Sequence, residues 1–167
     1  MIEKIYREYL EIISLDDFKE VIKPSKNCVI ELVNPKNFQL NKFFYKNIGK
    51  KHKWVDRLVW TEQDWIDYVS KEKLSTYILK DKKELIGYFE LIFYQDIREL
   101  EIAYLGILEE YLGKKLGGYL LSEAIKKSFS LGATRTWVHT SSLDHKNALK
   151  NYLARGMKIF KSETLII

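Results

Sequence analysis

The stretch EIAYLGILEEYLGKKLGGYLL (Glu101–Leu121) decides the fold, because a strand-like run leads through a glycine-bearing loop into a helix. Glycines at a helix N-terminus let backbone amides approach an anion closely. The unpaired N–H groups and the positive end of the helix dipole then supply the attraction. The spacing fits neither a dinucleotide fingerprint nor a nucleoside-triphosphate P-loop. The stretch therefore predicts a phosphate-binding turn of another kind.

Strand patterns dominate the chain on both sides of this turn. Residues 87–94 and 99–108 flank a polar turn and predict an antiparallel hairpin, which a strand at 75–80 precedes. After the helix come a strand at 134–140, a helix that Asp144 can cap, and a strand-like tail from residue 157. The first third holds strand-like runs at 6–13 and 28–33 and helix candidates at 38–47 and 62–71.

This order predicts an α/β layered domain whose sheet is mixed but mostly antiparallel and is flanked by helices. A parallel pairing is required where a helix connects two neighbouring strands. Without internal repeats or low-complexity segments, residues 1–167 are expected to form a single domain.

Composition excludes several classes of protein. The lone cysteine, Cys28, excludes an intrachain disulfide and any zinc site built from several thiolates. Three histidines with no shared helical spacing predict no metal site. The start MIEKIYREYL has no apolar signal core, and about eighteen consecutive apolar residues occur nowhere, so no membrane partner and a cytoplasmic location are expected.

The net charge of +5 is modest, and the densest basic run, Lys46–Lys53, is interpreted as a solvated loop. A nucleic-acid surface would need a wider basic field and a recognisable module, so no nucleic-acid partner is expected.

A second motif near the C-terminus accompanies the glycine loop. Ala148-Leu149-Lys150-Asn151-Tyr152-Leu153-Ala154-Arg155-Gly156-Met157 matches the pattern Ala-(Ile/Leu)-x-x-Tyr-x-x-x-Gly-Phe except at its last residue. With the two motifs together, the sequence from about Ser75 onward resembles the GNAT acetyltransferase superfamily, within an uncharacterised bacterial subgroup. The loop departs from the family's Gln/Arg-x-x-Gly-x-Gly/Ala pattern, because Leu112 and Lys115 stand at its first two defining positions and Gly117 alone matches.

The resemblance implies how acetyl-CoA, the expected co-substrate, is bound. In the family two central strands splay apart and the pantetheine arm inserts between them. The resemblance therefore implies that Leu105, Gly106 and Ile107 lie along the pantetheine arm. It implies that the pyrophosphate is bound by the loop and the helix start, which consist of Leu112, Gly113, Lys114, Lys115, Leu116, Gly117 and Gly118. The side chains of Leu105 and Ile107 are also interpretable as plain core.

Acetyl transfer to an amine requires a base and an acid. Glu101 is the candidate base, because it lies in an otherwise apolar strand where burial would raise its pKa toward neutrality. It also falls at the position of the base in the histone acetyltransferase branch. Glu90, on the partner strand, is the alternative base. Tyr152 matches the tyrosine that protonates the coenzyme A sulfur in the family. The plain alternatives are a surface glutamate and a core aromatic.

Acceptor recognition is expected from the first two helices and the loop between them. Trp54 and Trp60 are the first candidates for the acceptor pocket, together with Glu90 and with His145 at the last helix start. No anionic cluster in the sequence indicates a polyamine or aminoglycoside site.

The sequence thus predicts an N-acetyltransferase that moves the acetyl group of acetyl-CoA to a primary amine, of a small molecule or a peptide. A non-catalytic acyl-CoA-binding module is the alternative, and the oligomeric state is open, a homodimer being one option.

Overall fold

A computed structural model describes residues 2–166, which form seven strands and four α-helices together with two short 3-10 turns. In chain order the elements are β1 (Lys4–Ile12), β2 (Cys28–Leu32), α1 (Phe38–His52), α2 (Glu62–Val69), β3 (Leu74–Asp81), β4 (Glu84–Tyr94), β5 (Glu99–Ile107), α3 (Leu116–Ser130), β6 (Arg135–Ser141), α4 (Ala148–Ala154) and β7 (Lys158–Ile166).

The strands form one sheet in the order β2-β3-β4-β5-β6-β1-β7. All neighbours are antiparallel except β5 and β6, which are parallel because α3 connects them. Their pairing extends only from Glu99–Glu101 on β5 to Arg135–Trp137 on β6. Beyond those residues the two strands separate. The predicted mixed, mostly antiparallel sheet with a splayed central pair is confirmed.

The apolar stripe of α3 fixes this helix on the sheet. Leu116, Leu120, Leu121, Ala124 and Ile125 are all buried and belong to the main core, which also contains residues of β1, β4 and β5. A second cluster attaches α1, where Phe44 and Ile48 pack against Tyr88 of β4. The sheet is therefore held between helices on both sides, and the helices lie next to the gap between β5 and β6.

Two local expectations are wrong. The basic run Lys46–Lys53 is not a loop: it continues α1 to His52, and Lys53 ends the helix in the left-handed conformation with φ 53°. Asp144 does not cap the last helix, which begins only at Ala148 after Asn147. No helix within residues 2–166 is long and apolar enough to cross a membrane.

Candidate active site

The gap between β5 and β6 opens into a cleft of about 710 Å³. Its walls come from the sheet, from the α1–α2 connection and from the segment that joins β6 to α4. Aromatic, charged and strand residues line the cleft, among them Trp54, Asp56, Arg57, Trp60, Glu101, Tyr104, Leu105, Gly106, Ile107, Leu112, Val138, Asp144, His145 and Tyr152. The splay thus places backbone, carboxylates and aromatic rings around a single space.

Strand edges that face the cleft are open. Within residues 2–166, the β5–β6 ladder stops at Glu101 and Trp137, although β5 stays paired with β4 as far as Ile107. The edge of β5 from Ile102 onward therefore presents its N–H and C=O groups to the gap. An extended amide-containing chain can hydrogen-bond to such an edge as an added strand would. Leu105, Gly106 and Ile107, the residues predicted to lie along the pantetheine arm, are on this edge.

The loop before α3 has the backbone of an anion-binding turn. Gly113 and Lys115 both have positive φ, 82° and 63°, and Lys115 directly precedes the first residue of α3. No side chain of the described residues caps this helix, so its first N–H groups remain available. A Cβ built on Gly113 would meet nothing within 4 Å, and one on Gly117 would meet only Asn151 Nδ2, at 3.7 Å. This open space fits a pyrophosphate.

The remaining members of the predicted loop have other surroundings. Lys114 is exposed, and its ammonium lies 5.7 Å from the ring centroid of Tyr111. Leu116 is buried in the core. A Cβ on Gly118 would meet Arg155 Nη1, the far end of a flexible side chain, at 2.8 Å and Val21 Cγ2 at 3.1 Å, so the protein itself packs closely against this glycine. Gly118 can therefore offer only its backbone to a ligand.

Replacement of Lys115 by glycine is expected to stabilise the fold. A left-handed residue with a side chain costs about 1–2 kcal/mol, and the extra chain entropy of glycine offsets about 0.5–1 kcal/mol of that gain. Chemical denaturation should show Lys115→Gly more stable by a few tenths to about 1 kcal/mol. Lys114→Gly is the matched control, since Lys114 has no positive φ and should gain nothing. Equal changes in both variants would contradict the explanation.

Glu101 lies on β5 at the end of the paired region and lines the cleft, half-buried. Burial raises the pKa of its carboxyl, while the hydroxyl of Tyr94, which donates to Oε1 at 3.0 Å, opposes that rise. The positive charge of Arg57 opposes it as well. A carboxylate of raised pKa beside a cleft has the properties of a general base.

Tyr152, on α4, lines the same cleft and is buried. Burial raises the pKa of its phenol, and the negative charge of Asp144 adds to the increase. The hydroxyl therefore stays protonated at neutral pH, as a proton donor must. The cleft thus brings together the two residues predicted to act as base and acid.

Glu90 does not reach the cleft with the other candidates. Its side chain is fully buried and holds an ion pair with Arg57, whose Nη2 lies 3.0 Å from Oε1. Asn41 and Tyr68 also donate to the carboxylate, at 2.8 Å and 2.7 Å. Both oxygens of the Glu90 carboxylate accept hydrogen bonds from these donors. Its contacts are therefore those of a structural ion pair, and they leave no oxygen free to accept a proton from a substrate.

Trp54, Trp60 and His145 all line the cleft. The indole N–H of Trp54 donates to Asp144 Oδ1 at 3.2 Å, which links the α1–α2 connection to the segment after β6. The His145 ring lies 6.0 Å from that of His52, in an edge-to-face arrangement. His52 and His145 are thus neighbours in the fold although they are 93 positions apart in the sequence. No metal-binding cluster of His, Cys, Asp or Glu is found among residues 2–166.

Sequence reasoning missed two carboxylates of the cleft, Asp56 and Asp144. Tyr104 donates to both oxygens of Asp56, at 2.7 Å and 2.8 Å. Asp144 accepts from the Thr140 hydroxyl and from the Ser141 amide as well as from Trp54. With Glu101 they form a set of three from distant segments, and in the described part of the chain none has a salt bridge. The sequence, which showed no anionic cluster, could not indicate this set.

A known protein family matches most of the chain. The family model of the acetyltransferase (GNAT) family matches residues 34–157. The chain belongs to this family. GNAT proteins use acetyl-CoA as co-substrate. The match begins at residue 34, well before the motifs that carry the resemblance in the sequence. No protein of curated function matches the sequence.

Solved structures show the same fold at low sequence identity. A GCN5-related N-acetyltransferase from Sphaerobacter thermophilus has TM-score 0.72 and 14% identity, over 97% of this chain and 50% of that one. One from Kribbella flavida has TM-score 0.67 and 13% identity, over 99% and 58%. This chain thus spans little more than half of these two relatives. An aminoglycoside acetyltransferase from an uncultured soil metagenomic sample, in complex with trehalose, has TM-score 0.65 and 10% identity, over 80% and 90%.

Proposed function

We propose that this GNAT protein is an N-acetyltransferase that moves the acetyl group of acetyl-CoA to a primary amine by direct attack in a ternary complex. One observation carries the proposal: Glu101 and Tyr152 line the same cleft, at the point where β5 and β6 part. The open edge of β5 and the uncapped start of α3 support binding of the pantetheine arm and the pyrophosphate beside them.

The proton movements follow from the two side chains. The Glu101 carboxylate accepts a proton from the acceptor ammonium, which frees the nitrogen lone pair. That nitrogen forms a bond to the acetyl carbon, and the carbon–sulfur bond breaks. The Tyr152 hydroxyl donates its proton to the departing thiolate. The nitrogen releases its second proton to solvent as the neutral amide forms, the phenolate takes a proton back from solvent, and Glu101 gives up its own proton to solvent.

Three carboxylates of the cleft can receive a positively charged acceptor. Asp56, Glu101 and Asp144 are hydrogen-bonded to neutral donors, and none of the three forms a salt bridge with Arg7, Lys53 or Arg57, the cations that also line the cleft. Trp54 and Tyr104 lie between Asp56 and Asp144, with ring centroids 4.7 Å apart. Aromatic faces and carboxylates together attract ammonium groups.

Acetyl-CoA is expected to raise the melting temperature by several degrees when present well above its Kd, because a ligand that binds only the native state stabilises it by mass action. Thermal unfolding with acetyl-CoA, ATP or NAD measures the effect, and the two nucleotides serve as controls. A shift with ATP or NAD and none with acetyl-CoA would refute the proposed binding.

A thiol-release assay with monoamines and diamines then tests transfer. Free coenzyme A that appears only when an amine is present supports the acetyltransferase. Binding without release over the whole panel would instead indicate an acyl-CoA-binding module that does not catalyse transfer.

A further inference from the structure

Arg57 is a buried cation inside a cage of aromatic rings. Only 5% of its side chain is exposed, and its guanidinium carbon lies 4.2–5.7 Å from five ring centroids. The rings belong to Tyr45, Trp60, Trp65, Tyr68 and Tyr104. Cation–π attraction is strongest where water is excluded, so this cage holds the guanidinium in place from several directions.

Glu90 completes the cage with a two-pronged ion pair. Nη1 of Arg57 donates to Oε2 at 3.2 Å, and Nη2 donates to Oε1 at 3.0 Å. A lysine cannot reproduce this geometry, because its ammonium is a single point charge. The planar fork therefore fixes the orientation of Arg57 as well as its position.

The Arg57–Glu90 pair attaches the segment between α1 and α2 to the sheet. Arg57 lies in that connection and Glu90 on β4, while Tyr104, which packs on the guanidinium, belongs to β5. The Arg57 backbone N–H also donates to the Tyr45 hydroxyl of α1, at 2.9 Å. Four elements of the acceptor side of the cleft thus meet at one side chain.

The same connection carries the cleft-lining residues Trp54, Asp56 and Trp60. Asp56 precedes Arg57 directly, and its carboxylate is held by Tyr104, one of the rings of the cage. Among the described residues, no side-chain hydrogen bond joins Arg57 or its cage to the α3 turn, where the pyrophosphate is proposed to bind. Loss of Arg57 should therefore disturb one half of the cleft and leave the other intact.

We propose that Arg57 is the positioning residue for acceptor binding: clamped by Glu90 and five aromatic rings, it holds the Trp54–Trp60 wall in the geometry that orients the amine. The inference rests on the proposed acetyl transfer. It also assigns Glu90 a role, as the anchor of Arg57 rather than as a second base.

Stability alone is a poor explanation of the pair. Buried ion pairs often contribute no more than well-packed apolar side chains of similar volume, because both charges must be desolvated. Orientation is a property that apolar side chains do not supply. A wall displaced by about 1 Å can lower the rate about 10²-fold, which is the size of effect expected here.

The test compares Arg57→Ala and Arg57→Lys with wild type, by amine KM, kcat and Kd for acetyl-CoA. Arg57→Ala should lower kcat/KM for the amine on the order of 10²-fold, with a Kd for acetyl-CoA close to wild type. Millimolar guanidinium, far below denaturing concentration, should enter the empty cage and restore part of the activity. Arg57→Lys keeps the charge and the fold, and should still raise the amine KM.

Arg135→Ala is the matched control. Arg135 also pairs with two carboxylates, Glu11 and Glu99, and lies 4.6 Å over the ring of Phe160, but it does not line the cleft. Guanidinium should not rescue this variant. Its amine kinetics should be those of wild type.

The outcomes separate the two proposals. A wild-type protein that acetylates no amine refutes the proposed function itself. Active wild type with unchanged amine kinetics in Arg57→Lys refutes the positioning role. So does guanidinium that raises the melting temperature of Arg57→Ala without restoring its activity, because a merely structural cation would behave in that way.

Discussion

Replacement of Glu101 by Gln is expected to lower kcat by about 10²- to 10⁴-fold, the usual contribution of a positioned general base. Glutamine keeps the size of the side chain and its amide oxygen can still accept from the Tyr94 hydroxyl, which donates to Glu101 at 3.0 Å. The variant therefore removes the proton acceptor and little else. The Kd for acetyl-CoA should be close to the wild-type value by isothermal titration.

The role of Glu101 as base also predicts how kcat changes with pH. Burial raises the pKa of Glu101, and only the deprotonated carboxylate can act as the base. Wild-type kcat should therefore fall as the pH drops through the pKa of Glu101, which lies above the usual value of a free glutamate. In Glu101→Gln this acid limb should disappear, and a higher pH should recover part of the rate by deprotonating the free amine.

The pH dependence of the rate in Tyr152→Phe should differ from that in Glu101→Gln. It removes the proposed proton donor to the thiolate, so turnover should slow, but a higher pH cannot replace a missing acid. Full activity of Glu101→Gln at neutral pH would show that another group or a water chain accepts the proton, and the assignment of Glu101 would be wrong.

The fold was predictable where its determinants are local in the sequence. The hairpin of β4 and β5 follows from two strand patterns and a short polar turn, and α3 follows from a regular apolar stripe. The parallel pairing of β5 and β6 follows from the helix between them. The boundaries were less accurate, because α1 continues from Lys46 to His52 although lysine-rich segments also occur in loops.

The loop before α3 illustrates how backbone conformation survives a change of residue. Lys115 stands where the family pattern has glycine, yet it keeps the left-handed φ of 63°. The surrounding turn and the start of α3 impose that conformation, so the backbone of the turn is preserved at some cost in strain. The sequence alone shows the missing glycine but not the retained geometry.

The acceptor side of the cleft could not be predicted, because its contacts join distant parts of the chain. Arg57 and Glu90 are 33 residues apart, and Asn41 and Glu90 are 49 apart. Glu90 sits in the strand pattern much as a half-exposed glutamate would. Only the packing of α1, α2 and the connection onto β4 shows that it is buried and paired.

Replacement of Gly117 by Glu is expected to abolish detectable acetyl-CoA binding while the protein stays folded. A Cβ at this position meets only Asn151 Nδ2, at 3.7 Å, which is ordinary contact. A carboxylate in the first turn of α3 is itself favourable, because the helix N-terminus attracts negative charge, by about 0.3–1 kcal/mol. The same attraction that stabilises the new side chain places it where the pyrophosphate is proposed to bind. It would then block that site and repel the phosphates.

Two further variants separate charge from size. Gly117→Ala adds only the tolerated Cβ and should change the Kd for acetyl-CoA little. Gly117→Gln fills the same space as Glu without its charge, so the difference between the two measures electrostatic repulsion. Isothermal titration of acetyl-CoA gives the three Kd values, and thermal unfolding without ligand shows that each variant is folded. Wild-type affinity in Gly117→Glu would mean that the pyrophosphate binds elsewhere, because a phosphate and a carboxylate repel each other and cannot both occupy this turn.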